Sequence, residues 1–203
     1  MSRPGGRQEP RQARSREMVD RILLAAAQVL AERGYGGLST NRVAEVAGVS
    51  VGSLYRYFQD KDDLVEHLRE RSTADVLEAL GAGMAEAVAL PTRDAVRHVV
   101  ATLVAGLQRH RAVISALINE VPLGSHGNVL PDLERQLAHV TRMFVASHAP
   151  GLEPAEAEAR IYLAMGITLT TSLRIALEPP PGITEDRLVD LTAELLEVGL
   201  LLP

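Results

Sequence analysis

Tyr55 and Tyr57 stand two positions apart, just after Val51-Gly52-Ser53 and just before Lys61. Phenols at this spacing can donate to phosphate oxygens and stack on a sugar or a thymine methyl. Val51 suits a thymine methyl, and Ser53 suits almost any base edge. Gly52 lets a backbone come close, or simply packs the start of a helix. Upstream, Asn41 and Arg42 could hold phosphate or reach a base. Phe58 reads as a core aromatic, and the two-residue offset favours exposure of Tyr55 and Tyr57 instead. The chemistry these residues offer is recognition of nucleic acid, with no bond made or broken.

Other reactive residues do not form a site of that kind. The six histidines, His67, His98, His110, His126, His139 and His148, make no HExxH or paired HxxxH pattern, and there is no cysteine. Metal and disulfide chemistry are therefore not expected, and no cofactor is implied. No GxSxG and no glycine-rich phosphate loop is present, so nothing supports an enzyme. Asp62-Asp63 and Glu156 with Glu158 read as helix-start charges. His98, Thr102, His139, Met143, Tyr162, Met165 and Thr168 are sparse polar or soft groups on otherwise apolar helices. They suit the lining of a mostly apolar ligand pocket with a few polar anchors, and they equally suit a packed core or a surface.

The elements that must carry the tyrosines are short. An amphipathic segment, Thr40 to Ala47, meets the turn Gly48-Val49-Ser50, and a second segment runs from Val51 to Phe58. Glycine at the corner tolerates positive φ. Ser50 can cap the second helix. Val43, Ala44, Ala47, Val49, Leu54 and Phe58 can share one small core, leaving Val51, Gly52, Ser53, Tyr55 and Tyr57 outward. This is a helix-turn-helix, whose second helix enters the major groove of DNA.

The run Thr40-Asn41-Arg42-Val43-Ala44, then Ala47-Gly48-Val49-Ser50, Gly52, Leu54-Tyr55, Tyr57-Phe58 and Lys61, resembles the tetracycline-repressor (TetR) family of bacterial transcription regulators. The resemblance covers roughly residues 17 to 68. It implies Thr40 and Lys61 as phosphate contacts, Thr40 partly through the helix N-terminus. Position 51 is often basic or polar in that family and is Val here, so base preference is not carried over.

Charge is divided along the chain. The overall net is −5, yet residues 1–59 hold nine Arg against five acids, and residues 60–203 hold twelve Lys or Arg against twenty-one acids. A positive end and an acidic body suit a protein that touches DNA at one end. At 46% hydrophobic and 3% aromatic, the core must be built from Leu, Ala, Val and Ile, a composition that favours helices. The expected fold is all-α, with nine helices in two domains. Residues 1–15 read as a disordered, Arg-bearing arm, 16–60 as the helix-turn-helix domain, and 61–203 as a ligand-binding and dimerisation domain. Helix one is expected from about Arg16 to Arg33, and helix four, capped by Asp60, to Gly81 or beyond. Later helices are expected from a cap at Thr92 to about His110, from Val113 to Val121, from Leu130 to Ser147, from Pro154 to about Glu178, and from Thr184 to Leu201. A loop is expected at 123–128. No apolar run reaches membrane-spanning length and no secretory signal precedes Ile22, so a cytoplasmic protein is expected.

The last two helices are apolar enough to need a cover. Leu169 and Leu173 on one, with Leu188, Leu191, Leu195 and Val198 on the other, are the expected dimerisation residues, and the family resemblance implies a four-helix bundle across a two-fold axis. The expected partners are an operator in double-stranded DNA, a small-molecule effector and a second copy of the chain, with no membrane. The whole reads as a repressor released from a palindromic operator by a small apolar effector. The competing class is a helical small-molecule-binding protein or enzyme whose helix-turn-helix is incidental.

Overall fold

The computed structural model describes residues 9–119, 135, 138–139, 141–146 and 151–201. Among these there is no strand. The helices are α1 (Glu9–Arg33), α2 (Thr40–Ala47), α3 (Val51–Leu54), α4 (Lys61–Ala87), α5 (Thr92–Arg109), α6 (Arg111–Asn119), α7 (Pro154–Leu177) and α8 (Glu185–Leu201). Residues 141–146 are also helical, within the helix expected from Leu130 to Ser147. The loop expected at 123–128, and with it His126, lies outside the described residues, as does His148.

Two compact units emerge: Met1–Arg71 with Ala112–His126, and Ser72–Arg111 with Gly127–Pro203. The division falls inside α4, between Arg71 and Ser72.

In the first unit α1 begins at Glu9 rather than near Arg16, so residues 9–15 of the expected disordered arm are helix. Pro10 stands in the first turn, where its missing N–H costs nothing, and Gln12, Ala13 and Arg14 propagate helix well. Gly34, at φ 65°, ends α1 with its N–H on the Leu30 carbonyl at 2.9 Å. Ser39 caps α2. Gly48 closes α2 at φ 65° and ψ 36°, a left-handed conformation that glycine adopts without a Cβ clash. Ser50 Oγ accepts from Ser53 N at 3.0 Å and starts α3. Regular α-helix stops at Leu54, short of the expected Phe58. Beyond it Arg56 N and Tyr57 N reach back only three residues, to Ser53 and Leu54, a tighter turn that still carries the chain to Phe58. Ile22, Ala26, Val29, Val43, Ala44, Leu54, Phe58, Leu64 and Val65 fill one core. Val113 and Ala116 of α6 are buried in the same cluster. Val49 packs against its edge, half-buried.

In the second unit α5 packs on α7 and α8, which also pack on each other. Thr92 does not cap α5 as expected. Pro91 holds that position without a side-chain bond, and Thr92 is the first helical residue. Val100, Leu103, Val104, Ile161, Ala164, Leu169, Val189 and Leu196 are buried here. An ionic seam joins α5 to α8: Arg97 Nε donates to Asp190 at 2.6 Å, and Arg93 donates to Glu194 at 2.5 Å. Asp190 and Asp186 hold the Arg97 guanidinium above its ordinary pKa. Where α4 meets α5, Gly83 lets the helices approach so closely that a Cβ there would lie 2.7 Å from the Thr102 side chain.

Candidate nucleic-acid interface

The α2–turn–α3 corner buries Val43, Ala44, Ala47 and Leu54 and turns the recognition residues outward. Val51 is 38% exposed, Tyr55 52% and Tyr57 36%. Gly52 and Asn41 are exposed, while Ser53, Thr40 and Arg42 are half-buried. No atom would obstruct a Cβ at Gly52, so its surroundings are open.

Two of these residues are tied together. Thr40 Oγ1 and the Tyr55 hydroxyl lie 3.1 Å apart, joining the start of α2 to the residue after α3. Ser50 Oγ and Ser53 Oγ lie 2.8 Å apart, which orients the Ser53 side chain from below. The corner thus presents hydroxyls, an apolar Val51 and phenol rings, a mixture that accepts and donates hydrogen bonds while offering flat apolar area.

Lys61 opens α4. Asp60 Oδ1 accepts from Asp62 N at 2.9 Å and from Asp63 N at 2.8 Å, capping the helix as expected. The Lys61 ammonium lies 4.0 Å from the centre of the Tyr35 ring. The Tyr35 hydroxyl donates to Asp62 Oδ1 at 2.5 Å. That hydrogen bond, with burial and the Asp62 and Asp60 charges, pushes the Tyr35 pKa up to about 12. Tyr35 was not singled out from the sequence, because a lone tyrosine in a glycine-rich loop has no periodicity to betray its partners. Arg56 was passed over as well. It is exposed between Tyr55 and Tyr57 and adds a cation to that face.

The residues expected to line a ligand pocket do not all converge. His98 and Thr102 are half-buried on α5. His98 Nε2 is 3.1 Å from Glu86 Oε2, within ion-pair distance but outside hydrogen-bond geometry. Met165 and Thr168 are half-buried on α7. His139 and Met143 are exposed, and Tyr162 is 77% exposed, so none of these three lines an interior. Tyr162 follows the buried Ile161, and one helical step carries it to the outer face beside Leu163 and Ile167. Among the described residues no three metal-ligating side chains gather, and no helix is long and apolar enough to cross a membrane.

The outer face of α7 and α8 is apolar. Leu191, Leu195 and Val198 are exposed, with Leu163 and Ile167, which the sequence reading missed. Leu173 and Leu188 are half-buried. Leu169 faces its own protomer's core instead, in the same stripe as Ile161, Ala164 and Ser172.

Comparison with known proteins bears on this geometry. The family model described as "Bacterial regulatory proteins, tetR family" matches residues 22–68, the span from the middle of α1 into α4. A fatty acid metabolism regulator protein of Bacillus subtilis (strain 168) is 34% identical over 59 residues, 29% of this chain and 30% of that protein. The chain therefore matches less than a third of that relative's length. Among solved structures, the fatty acid degradation regulator FadR from Bacillus halodurans aligns with a TM-score of 0.69 at 19% identity, over 98% of each chain. FadR from Bacillus subtilis in complex with stearoyl-CoA aligns with a TM-score of 0.64 at 19% identity, over 89% of this chain and 97% of that one. These alignments establish the fold: an all-helical chain with an N-terminal helix-turn-helix and a helical C-terminal region.

Proposed function

We propose that this chain, whose residues 22–68 match the model of the tetR family of bacterial regulatory proteins, is a homodimeric repressor of that kind, which leaves a palindrome-like operator when a small apolar molecule binds. The observation that carries the reading is the outward face of the helix-turn-helix, where Val51, Gly52, Tyr55 and Tyr57 are exposed beside Asn41 and Arg56. In this reading Val51, Gly52, Ser53, Tyr55 and Tyr57 meet base edges and sugars, Thr40 and Lys61 meet phosphates, and Asn41 and Arg42 support either role. Two copies related by a two-fold axis place two such faces on half-sites about one helical turn, roughly 34–36 Å, apart.

The exposed apolar residues of α7 and α8 support the dimer, because an isolated protomer would leave Leu163, Leu191, Leu195 and Val198 in water. The low aromatic content argues against a flat cationic ligand held by stacking, and similarity to a regulator crystallised with stearoyl-CoA favours an acyl-chain effector. Held among α4, α5 and α7, such a molecule would tilt α4 and alter the spacing of the two reading faces. The required coupling is about 1–3 kcal/mol.

The test is selection of bound duplexes from random DNA, followed by footprinting with and without stearoyl-CoA, free fatty acids and short-chain acyl-CoAs. Two-fold symmetric protection, lost on adding a long-chain species, supports the reading. Asymmetric protection refutes the dimeric operator. Protection unchanged by every compound that stabilises the protein refutes release by ligand, and leaves DNA binding intact.

A further inference from the structure

We infer that Tyr35 is a positioning residue for DNA binding: its ring holds the Lys61 ammonium at the start of α4, where that cation meets a backbone phosphate. The inference rests on the phosphate role proposed above for Lys61 and extends it to a residue that touches no DNA.

Three features bring the pair together. Gly34 ends α1 in a left-handed turn that delivers Tyr35 into the loop before α2, and Leu38 N closes that loop on the Tyr35 carbonyl at 3.2 Å. The ring rests against the unit's core at one edge. Its hydroxyl is fixed at the far end by Asp62, at 2.5 Å. A ring held at both ends is a rigid platform, and Lys61 Nζ sits 4.0 Å above its centre. The negative face of the ring attracts the ammonium without satisfying its N–H groups, which stay available to an oxyanion. Of the two acids that flank Lys61 in sequence, Asp62 accepts the phenol hydroxyl and Asp60 accepts two backbone N–H groups of α4, so each has a hydrogen-bonding role of its own.

The physical benefit is preorganisation. A lysine free in water loses much rotamer freedom when it docks on a phosphate, and one already held over a ring loses less. The cation also lies at the N-terminal end of the 27-residue α4, where the helix dipole favours an anion. The phenol stays protonated up to a pKa of about 12, so the ring keeps its hydrogen bond to Asp62 across the neutral range.

The experiment is a double-mutant cycle on the full chain. The probe is a fluorescent duplex of mixed sequence, about 30 base pairs, which spans two half-sites. Binding is read by anisotropy from about 50 to 200 mM salt. Tyr35→Leu is expected to weaken binding about two- to fivefold, the range of an exposed cation–π contact. Lys61→Ala weakens binding and lowers the salt slope by about 1. The double variant binds like Lys61→Ala alone, and Tyr35→Phe, which keeps the ring, recovers most of the loss. Tyr35→Met replaces Tyr35→Leu if the latter fails to fold, as judged by thermal unfolding. An equal loss from Tyr35→Leu with and without Lys61→Ala means that the ring acts through the fold, and overturns the inference. Tighter binding by Tyr35→Leu also overturns it, because the ring would then be sequestering the cation. If Lys61→Ala changes neither affinity nor slope, the phosphate role of Lys61 falls and this inference with it, while the Val51–Tyr57 face stands.

Discussion

Thr40 and Tyr55 meet hydroxyl to hydroxyl at 3.1 Å, so the first residue of α2 is tied to the residue that closes α3. The bond fixes the phenol ring while leaving it half exposed. Replacing Tyr55 therefore has two separable effects. Tyr55→Phe keeps the flat surface and loses the tie, and is expected to bind operator within about fivefold of the unsubstituted protein, since a hydrogen bond of this kind contributes about 1 kcal/mol. Tyr55→Ala also loses the ring and is expected to weaken binding by about 1–3 kcal/mol. Titrations against a selected operator, with unfolding midpoints for each variant, check this. Equal affinities for all three proteins would remove Tyr55 from the interface.

The corner of the helix-turn-helix depends on one glycine. Gly48 has a φ of 65° with open space around it, so the penalty for a side chain there is purely one of backbone conformation. Gly48→Ala is expected to cost about 1–2 kcal/mol of stability, and Gly48→Asn less, because Asn adopts the left-handed region more readily. Urea unfolding of the three proteins measures the difference.

The proposed dimer uses the outer face of α7 and α8. Leu195, 67% exposed, and Leu191 lie one helical turn apart on α8. Replacing both with Glu is expected to give a folded monomer in light scattering that no longer binds operator. A fully binding dimer would locate the interface elsewhere.

Gly81 and Gly83, two apart in α4, respond oppositely to the same change. Gly83→Ala sets a methyl 2.7 Å from Thr102 and is expected to destabilise the protein by about 1–3 kcal/mol. Gly81→Ala meets nothing within 4 Å and is expected to stabilise α4 by up to about 1 kcal/mol. Thermal unfolding of each variant settles the sign.

Tyr35 titrates late. Its folded pKa of about 12 lies above the ordinary 10 because Asp62 accepts its proton in a hydrogen bond. The neutral phenol is the form that folding favours. Its contribution is therefore complete below pH 10 and disappears as pH rises from 10 to about 12. Phenolate absorbance of the folded protein is expected to show an ionisation step near pH 12, and Tyr35→Phe removes that step.

The sequence made the reader legible because local rules decide it. Gly48, Ser50 and the buried Val43, Ala44, Ala47, Leu54 and Phe58 act within a few residues of one another, and each sits where turn and capping chemistry requires. The start of α1 was harder to see, since Pro10 marks a helix beginning as readily as a break. On α7 apolar residues occupy both faces, so period alone could not say that Leu169 points inward and Tyr162 outward. The Arg97–Asp190 and Arg93–Glu194 pairs and the Tyr35–Asp62 bond join residues far apart in the chain, and no local pattern announces them.

Val113 and Ala116, at 3% and 2% exposure, complete the core beneath the helix-turn-helix, although more than forty residues separate them from Arg71. The helix-turn-helix unit is thus threaded from two lengths of chain with α5 made in between. A fragment ending at Arg71 would open that core to water at the surface α6 should cover. During synthesis the core is completed only when α6 leaves the ribosome, so a nascent chain halted before Val113 carries the helix-turn-helix without the residues that finish the core beneath it.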